Sequence, residues 1–598
     1  MKLSNYVIEF LEKKNISTMF FVPGGGCMHL VDSLAQSEKI VGINLLHEQS
    51  VAIAAESYAF TSGGVGAALV TTGPGGTNTV TGVLSAYLDS IPCVFISGQV
   101  KTSDLKEQFG VRSHGSQEAD IVGIVKNITK YAVMVTDKNS IKYHLEKAWY
   151  EATHGRRGPV WVDIPLDIQG ISIEPETLVG FTEPQAARTK LDGAAKKILE
   201  LITASKRPVI IAGNGLRGAE KEFYNLIDTL NIPVIPTWKA ADLIPNDHRL
   251  FAGKCGTLGE RRANFAMQTA DLIISLGSKL DFSITGFDRS KWAVNAKKVV
   301  VEIDEAEIYK LQTNIELPIV ADVKDTVSAL IQEMKTEITA LNSCDFSAWL
   351  EQIEQWGKKY PICTPENAMG IKNAEEISTY QLIDEISKQA GENTVIVPAS
   401  AGTVAEICYQ AIKIKSGQMV RSNHGLGSMG YELPEAIGAY FATGKDIIVV
   451  AGDGGIQLNI QELAIIAGRE LPIKIFVVNN EGYSSIRNMQ RNHFNGRYMG
   501  SNKETGLQLP DMELLAKAYG VNSNSVSKPR ELAAAVKKAL NSEGAFLCNV
   551  HVDPFCIVSP RSTSKVMADG SIVSTSLEDL FPFLETEELK KELNVESL

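Results

Sequence analysis

Residues 449–482 read VVAGDGGIQLNIQELAIIAGRELPIKIFVVNNEG. The apolar run Ile447 to Val450 has the composition of a strand buried on both faces. Gly452-Asp453-Gly454 forces a tight turn, a helical stretch follows, and a second apolar strand, Ile473 to Val478, closes on Asn479-Asn480. In a parallel sheet the ends of two such strands lie on the same edge. Asp453 and Asn480 can then converge on one hard cation such as Mg²⁺, a metal that favours oxygen ligands and a phosphate partner. The glycines let backbone N–H groups approach a diphosphate. A Gly-Asp-Gly turn alone is as often an ordinary strand–helix connection with an incidental Asp. The Asn pair ending the next strand favours the cation reading.

The chain of 598 residues exceeds the roughly 250–300 that a single core organises, so several domains are expected. Its 44% hydrophobic and 21% charged residues are those of a globular protein, not a disordered one. A net charge of −12, with no basic cluster interleaved with aromatics, argues against nucleic acid as a partner. Eight cysteines without a CxxC spacing imply neither a zinc site nor a disulfide framework, and a reducing compartment, the cytoplasm, is the expectation. The opening MKLSNYVIEFLEKKNIS is amphipathic and lacks the apolar core of a signal peptide. No run of about 18 apolar residues exists, so no membrane partner is expected.

Residues 1–175 alternate strands and helices. Strand Thr18 to Val22 enters Pro23-Gly24-Gly25-Gly26, a helix lies near Met28 to Gln36, and strand Ile40 to Leu46 ends at His47-Glu48. Helix Gln49 to Phe60 follows, then strand Gly66 to Thr71 entering Gly73-Pro74-Gly75-Gly76. The same rhythm over 188–345 and 374–556 predicts α/β architecture with three doubly wound parallel-sheet domains. Residues 170–187 read as a linker, 346–373 as a second crossing segment containing Pro361 and Pro365, and 557–598 as a tail with a docked amphipathic helix. Asp304, after a strand end, suits a ribose hydroxyl or a helix cap, the cap being favoured. Glu48 sits where an isolated carboxylate simply favours a helix N-terminus.

Gly-Asp-Gly, 24 residues and Asn-Asn resemble the diphosphate-anchoring motif of thiamine-diphosphate (ThDP) enzymes. HEQSVAIAAESYA (47–59) followed by VTTGPGGTNTVTG (70–82) resembles their pyrimidine-binding domain. The resemblance implies that Asp453, Asn480 and a main-chain oxygen of Gly482 hold Mg²⁺. It implies cofactor contacts at Pro74, Gly75, Gly427, Gly452, Gly454 and Gly455, and a propping role for Met429 in HGLGSMGYELPEAIGA (424–439), although a lone Met is more often core packing. Glu48 would hydrogen-bond the aminopyrimidine ring and favour the tautomer that deprotonates the thiazolium carbon, assistance worth roughly 10²–10⁴-fold. The first and last domains would meet across a homodimer or homotetramer, Glu48 of one subunit facing Asp453 and Asn480 of the other.

Residues 85–134 resemble the acetohydroxyacid (acetolactate) synthase branch. This implies a 2-keto acid donor such as pyruvate, a carbonyl acceptor, and a non-redox FAD in the central domain. The flavin run survives in GSKLDFS (277–283) only in its Gly and first Asp. Gln117 matches the branch's active-site Gln, preceded by Ser116 instead of Phe; Gly25 and Ser485 join it on the substrate side. On the acceptor side the chain departs from the branch. Ser283 stands where an Arg grips the second keto acid's carboxylate, Met489 where a Trp favours a larger acceptor, and Leu166 where a Lys is usual. Arg289 or Arg487 could compensate. VPGGG (22–26) and IPLDIQ (164–169) resemble carboligases of surface-polysaccharide pathways. The expected activity is a ThDP- and Mg²⁺-dependent carboligase whose acceptor is a keto sugar. The alternatives are acetolactate synthesis, a ThDP-dependent decarboxylase or dione hydrolase, and a catalytically silent binding protein.

Overall fold

The computed structural model describes residues 1–106, 109–184, 191, 193–336, 341, 344–362, 375–566 and 572–593. The end of the expected linker at 185–187, the expected domain starts at 188 and 374, Pro365 and the last five residues of the tail lie outside them.

Three parallel sheets carry the chain. The first holds β1 (Thr18–Phe21), β2 (Val41–Asn44), β3 (Gly66–Val70), β4 (Cys93–Gln99), β5 (Tyr131–Met134) and β6 (Val160–Pro165), in the order β2-β1-β3-β4-β6-β5. The second holds β7 (Pro208–Ala212), β8 (Val234–Pro236), β9 (Leu272–Leu276), β10 (Lys297–Glu302) and β11 (Leu317–Val320), in the order β11-β10-β9-β7-β8. The third holds β12 (Thr394–Pro398), β13 (Met419–Val420), β14 (Asp446–Gly452), β15 (Ile473–Asn479), β16 (Asn522–Val526) and β17 (Phe546–His551), in the order β13-β12-β14-β15-β17-β16. Numbered within each sheet, the first and third share the order 2-1-3-4-6-5. The architecture repeats where the sequence shows no repeat.

Those two sheets meet through one helix from each. Helix α1 (Glu48–Ser62) is buried nearly all round and has no polar face to give water, which explains its run of small residues. Helix α2 (Glu432–Thr443) lies against it. Three glycines allow the close packing: a Cβ on Gly438 of α2 or on Gly66 of β3 would overlap a carbonyl of α1, Ala54 and Ala55 respectively, and one on Gly82 would overlap the Ala52 side chain. Ala54, Ala55, Leu433 and Ile437 accordingly share one core cluster with residues of both sheets.

The contact also buries charge. Arg421 pairs with Glu56 of α1 at 2.9 Å and with Glu435 of α2 at 3.2 Å, all three side chains being sealed from solvent. Burial pushes Glu435 up to about 8. The middle sheet is tied in by Arg156, which donates to Asp304 and Glu307 at 3.0 Å each and to Ser90. Asp304 also accepts from Ala306 N–H and caps the following helix, the role favoured from sequence. A stack of Tyr409, Trp238 and His424 ties the middle sheet to the last. In the tail, helix Thr586–Leu593 docks through Glu592 on Trp356 and Lys359 and through Glu588 on Tyr360. Strands Ser564–Val566 and Ile572–Ser574 form a small antiparallel pair that the sequence did not reveal. No helix among the described residues is long and apolar enough to cross a membrane.

Candidate active site

The ends of β14 and β15 are neighbours, Gly452 standing in register with Val478. The chain turns at once after each, so Asp453 follows one strand and Asn480 the other. Asp453 N–H donates to Val478 O at 3.2 Å. Its carboxylate accepts from Gly454 N–H at 2.8 Å and from Gly482 N–H at 2.9 Å. One side chain therefore joins both turns. It is 2% exposed, and burial lifts its carboxyl to about 6, against the pull of the two N–H donors and the nearby Arg487 guanidinium. Asn480 donates through Nδ2 to Ser484 Oγ at 3.1 Å, while its buried Oδ1 has no hydrogen-bond partner among the described residues.

A buried amide oxygen without a partner beside a buried carboxylate is costly. A cation offsets that cost, and the donor set is all oxygen, which suits Mg²⁺ and not a soft metal. Space exists for a phosphate partner. A Cβ on Gly455 would find its nearest neighbours only at 3.8 Å, and one on Gly427, in left-handed backbone at φ +67°, only at 3.7 Å. Gly454 is different: Tyr483 packs directly on its Cα, so glycine is required there by a close approach.

Glu48 opens α1, and its carboxylate accepts from Asn78 Nδ2 at 2.9 Å. Just before it, His47 Nδ1 accepts Gln49 N–H and caps the helix. Around it, Leu46 N–H donates to Glu462 and Gln49 accepts from Asn459, both in the kinked stretch after the Gly-Asp-Gly turn. Pro74 begins a short helix after β3, with Gly75 packed on Thr71. Gln117, at φ +65°, lays its carbonyl against Gly73, so it borders the Pro74-Gly75 turn. Gly25 opens a turn with free space at its Cα. Ser485 faces Gly402, and Met429 is 37% exposed, which is not core packing.

The structure thus gathers Asp453, Gly454, Asn480 and Gly482 into one cluster, and Gln117, Pro74 and Gly75 into another beside β3. Glu48 takes its bond from Asn78 on the same sheet. Sequence reasoning missed Glu432 and Ser400. Glu432 is buried beneath Gly455, its carboxyl pushed up to about 7 by burial, and Ser400 Oγ has no partner among the described residues. The acid inside GLGSMGYELP, between glycines and a helix start, was the available signal.

Three family models match along the chain: the thiamine pyrophosphate enzyme N-terminal TPP binding domain over residues 1–124, the central domain over 195–330, and the C-terminal TPP binding domain over 400–550. The acetolactate synthase large subunit of Cyanidium caldarium is 32% identical over 577 residues, 94% of this chain and 95% of the relative. That of Lactococcus lactis is 32% identical over 89% of this chain and 90% of the relative. Acetolactate synthase 1, chloroplastic, of Zea mays is 33% identical over 92% of this chain and 85% of the relative. The chain belongs to the thiamine-diphosphate enzymes.

Within this acetolactate-synthase-like ThDP enzyme the acceptor-side departures can be placed. Ser283 is buried and spends its hydroxyl on Asp281, the cap of its own short helix. Met489 lies on the exposed side of helix α3 (Ser484–His493). Leu166 opens helix Leu166–Gly170. The two arginines that could compensate differ. Arg289 donates one bond, to Lys310 O, and its buried Nε has no partner among the described residues, whereas Arg487 donates to Asn480 O, Glu481 O and Pro554 O.

A cleft of about 530 Å³ opens where the three sheets meet. Its floor is the crevice at the C-terminal ends of β7 and β9, where Gly215 N–H donates to Gly277 O at 3.0 Å and the two turns touch. Basic side chains, Arg157, Lys279 and Lys324 among them, outnumber the acids Asp89, Asp281, Glu302 and Asp322 in its lining, and Trp238 and Phe282 supply flat apolar wall.

Proposed function

We propose that this chain is a ThDP- and Mg²⁺-dependent carboligase that decarboxylates pyruvate or a similar 2-keto acid and passes the two-carbon unit to a carbonyl acceptor. The observation that carries the cofactor reading is the buried Asp453 carboxylate beside the unpartnered Asn480 Oδ1. Asp453, Asn480 and the Gly482 carbonyl would hold the cation, and the backbone at Gly452, Gly454 and Gly455 would face the diphosphate. Bound there, ThDP supplies the chemistry that breaks and makes the carbon–carbon bonds. The chain supplies the rest. Glu48 holds a carboxylate at the pyrimidine, Met429 props the cofactor, Gly427, Pro74 and Gly75 line it, and Gly25, Gln117 and Ser485 face the substrate. A homodimer or homotetramer with the site between subunits is supported by exposed apolar side chains near these residues, Leu46 at 50% and Leu458 at 47% besides Met429. The three-sheet cleft suits FAD: glycine turns at a sheet crevice, a lining with more basic than acidic side chains and an aromatic wall fit a dinucleotide.

For the acceptor, the same reading favours a keto sugar carried on a nucleotide. The places where a cation would grip a second keto acid are held by Ser283 and Leu166, and Arg487 spends its guanidinium on three main-chain carbonyls. The second reading, acetolactate synthesis, is favoured by identity to acetolactate synthases along most of the chain. Competition kinetics separate them. The sugar reading expects slow use of 2-ketobutyrate or a second pyruvate as acceptor and turnover of keto sugars. A kcat/KM for those keto acids of roughly 10⁴ M⁻¹s⁻¹ or above, with keto sugars ignored, establishes acetolactate synthesis instead.

A further inference from the structure

The turn Asn480–Gly482 presents four oxygens: three main-chain carbonyls and the Asn480 amide oxygen. Arg487, one turn into α3, discriminates among them. Its Nη2 donates to Asn480 O and to Pro554 O at 2.7 Å each, and its Nη1 donates to Glu481 O at 3.1 Å. The guanidinium is 3% exposed, so water does not substitute for those carbonyls. The carbonyls of Asn480 and Glu481 are thereby turned to the guanidinium. Asn480 Oδ1 is oriented by its own amide donating to Ser484, and Gly482 O accepts only a 3.1 Å bond from Ser484 N–H in this turn. The backbone that achieves this is unfavourable alone. Glu481 is left-handed at φ +60°, a conformation unfavourable for a non-glycine residue, and Gly482 stands at φ +120°. The planar guanidinium fork ties two carbonyls of this turn to Pro554 O in fixed geometry, which the flexible point charge of a lysine ammonium does not reproduce.

We propose that Arg487 is a positioning residue: by tethering the carbonyls of Asn480 and Glu481 it fixes the turn in which Asn480 Oδ1 and Gly482 O join Asp453 around the cation. This rests on the ThDP–Mg²⁺ reading. Mg²⁺-type sites tolerate little displacement of a ligand, because the ion demands near-octahedral geometry. Groups that orient metal ligands typically change metal affinity about 10–100-fold when replaced.

The test uses full-length Arg487→Lys and Arg487→Met beside the wild type, each saturated with ThDP and titrated with Mn²⁺. Affinity is read by electron paramagnetic resonance, and hydration of the bound ion by water-proton relaxation. Circular dichroism and thermal melting without cofactor check the fold. The expected result is folded variants whose Mn²⁺ affinity falls about tenfold or more and whose bound ion is more hydrated, a water having replaced a protein oxygen. A role in packing alone would lower the melting temperature and leave hydration unchanged. A folded variant with Mn²⁺ affinity within about twofold of wild type, well inside the range above, and unchanged hydration overturns the proposal. So does failure of both variants to fold, which assigns Arg487 to folding. If the wild type itself binds ThDP without any dependence on a divalent cation, the cofactor reading fails, and that result is distinct because it needs no variant.

Discussion

Glu48 and Asp163 are both carboxylates of the first sheet's domain, yet their surroundings set them to different tasks. Glu48 is partly exposed and held by one neutral donor, Asn78. Glu48→Gln should leave ThDP binding largely intact, since the diphosphate cluster lies on another sheet. It should slow hydrogen exchange at the thiazolium carbon by roughly 10²–10⁴-fold, measured by quenched-flow NMR; wild-type exchange in the variant would remove Glu48 from the chemistry. Asp163 is sealed in the core, accepting from Ser97 Oγ at 2.5 Å and Gln99 Nε2 at 3.0 Å. Burial lifts it from 3.8 to about 7. The folded chain therefore keeps a proton that the unfolded chain gives up near 3.8. Its stabilising contribution is complete below about pH 4 and is lost as the pH rises to about 7. Asp163→Asn should flatten the melting-temperature profile across that window, the remaining slope belonging to the other buried carboxyls that burial raises, Asp453, Glu432 and Glu435 among them. A profile as steep as the wild type's would contradict this.

At the scale of elements, the sequence disclosed strands and helices where a single periodicity governed them. The strand expected at Ile473 to Val478 is β15, Ile473–Asn479, and the helix expected at Gln49 to Phe60 is α1, Glu48–Ser62. Local apolar runs and the ends imposed by Asn-Asn or Gly-Gly carried that information. What was not legible depended on partners distant in the chain. That Gly438 exists to admit the carbonyl of Ala54 follows only from α2 lying on α1. The same holds for Arg487, which sequence alone left as a possible carboxylate grip and which the turn of its own cluster consumes. Gly438→Ala should force α2 away from α1 and destabilise the chain by about 1–3 kcal/mol, the usual cost of overpacking, read by urea unfolding. A midpoint equal to wild type would mean that the two helices separate freely.

At the scale of the whole molecule, the first and last sheets, with one strand order, and the middle sheet tied to both make a frame whose joints are few and specific. Arg421 is one: it pairs with both Glu56 and Glu435 at the helix contact, and its removal leaves two buried carboxyls without their ion-pair partner. Arg421→Met should cost about 3–5 kcal/mol, as broken buried pairs do, and differential scanning calorimetry should show the melting transition lowered. An unchanged transition would show that the pair contributes nothing to the junction. The most direct measurement of the central claim follows carbon through the reaction. The purified protein is incubated with [2-¹³C]pyruvate and a carbonyl acceptor, with ThDP and Mg²⁺ added or withheld, and products are read by ¹³C NMR. The account predicts CO₂ release and a new carbon–carbon bond at the labelled carbon, both dependent on ThDP and Mg²⁺ and both lost in Asp453→Ala. Labelled acetaldehyde as the sole product, or no CO₂ above background, would contradict it.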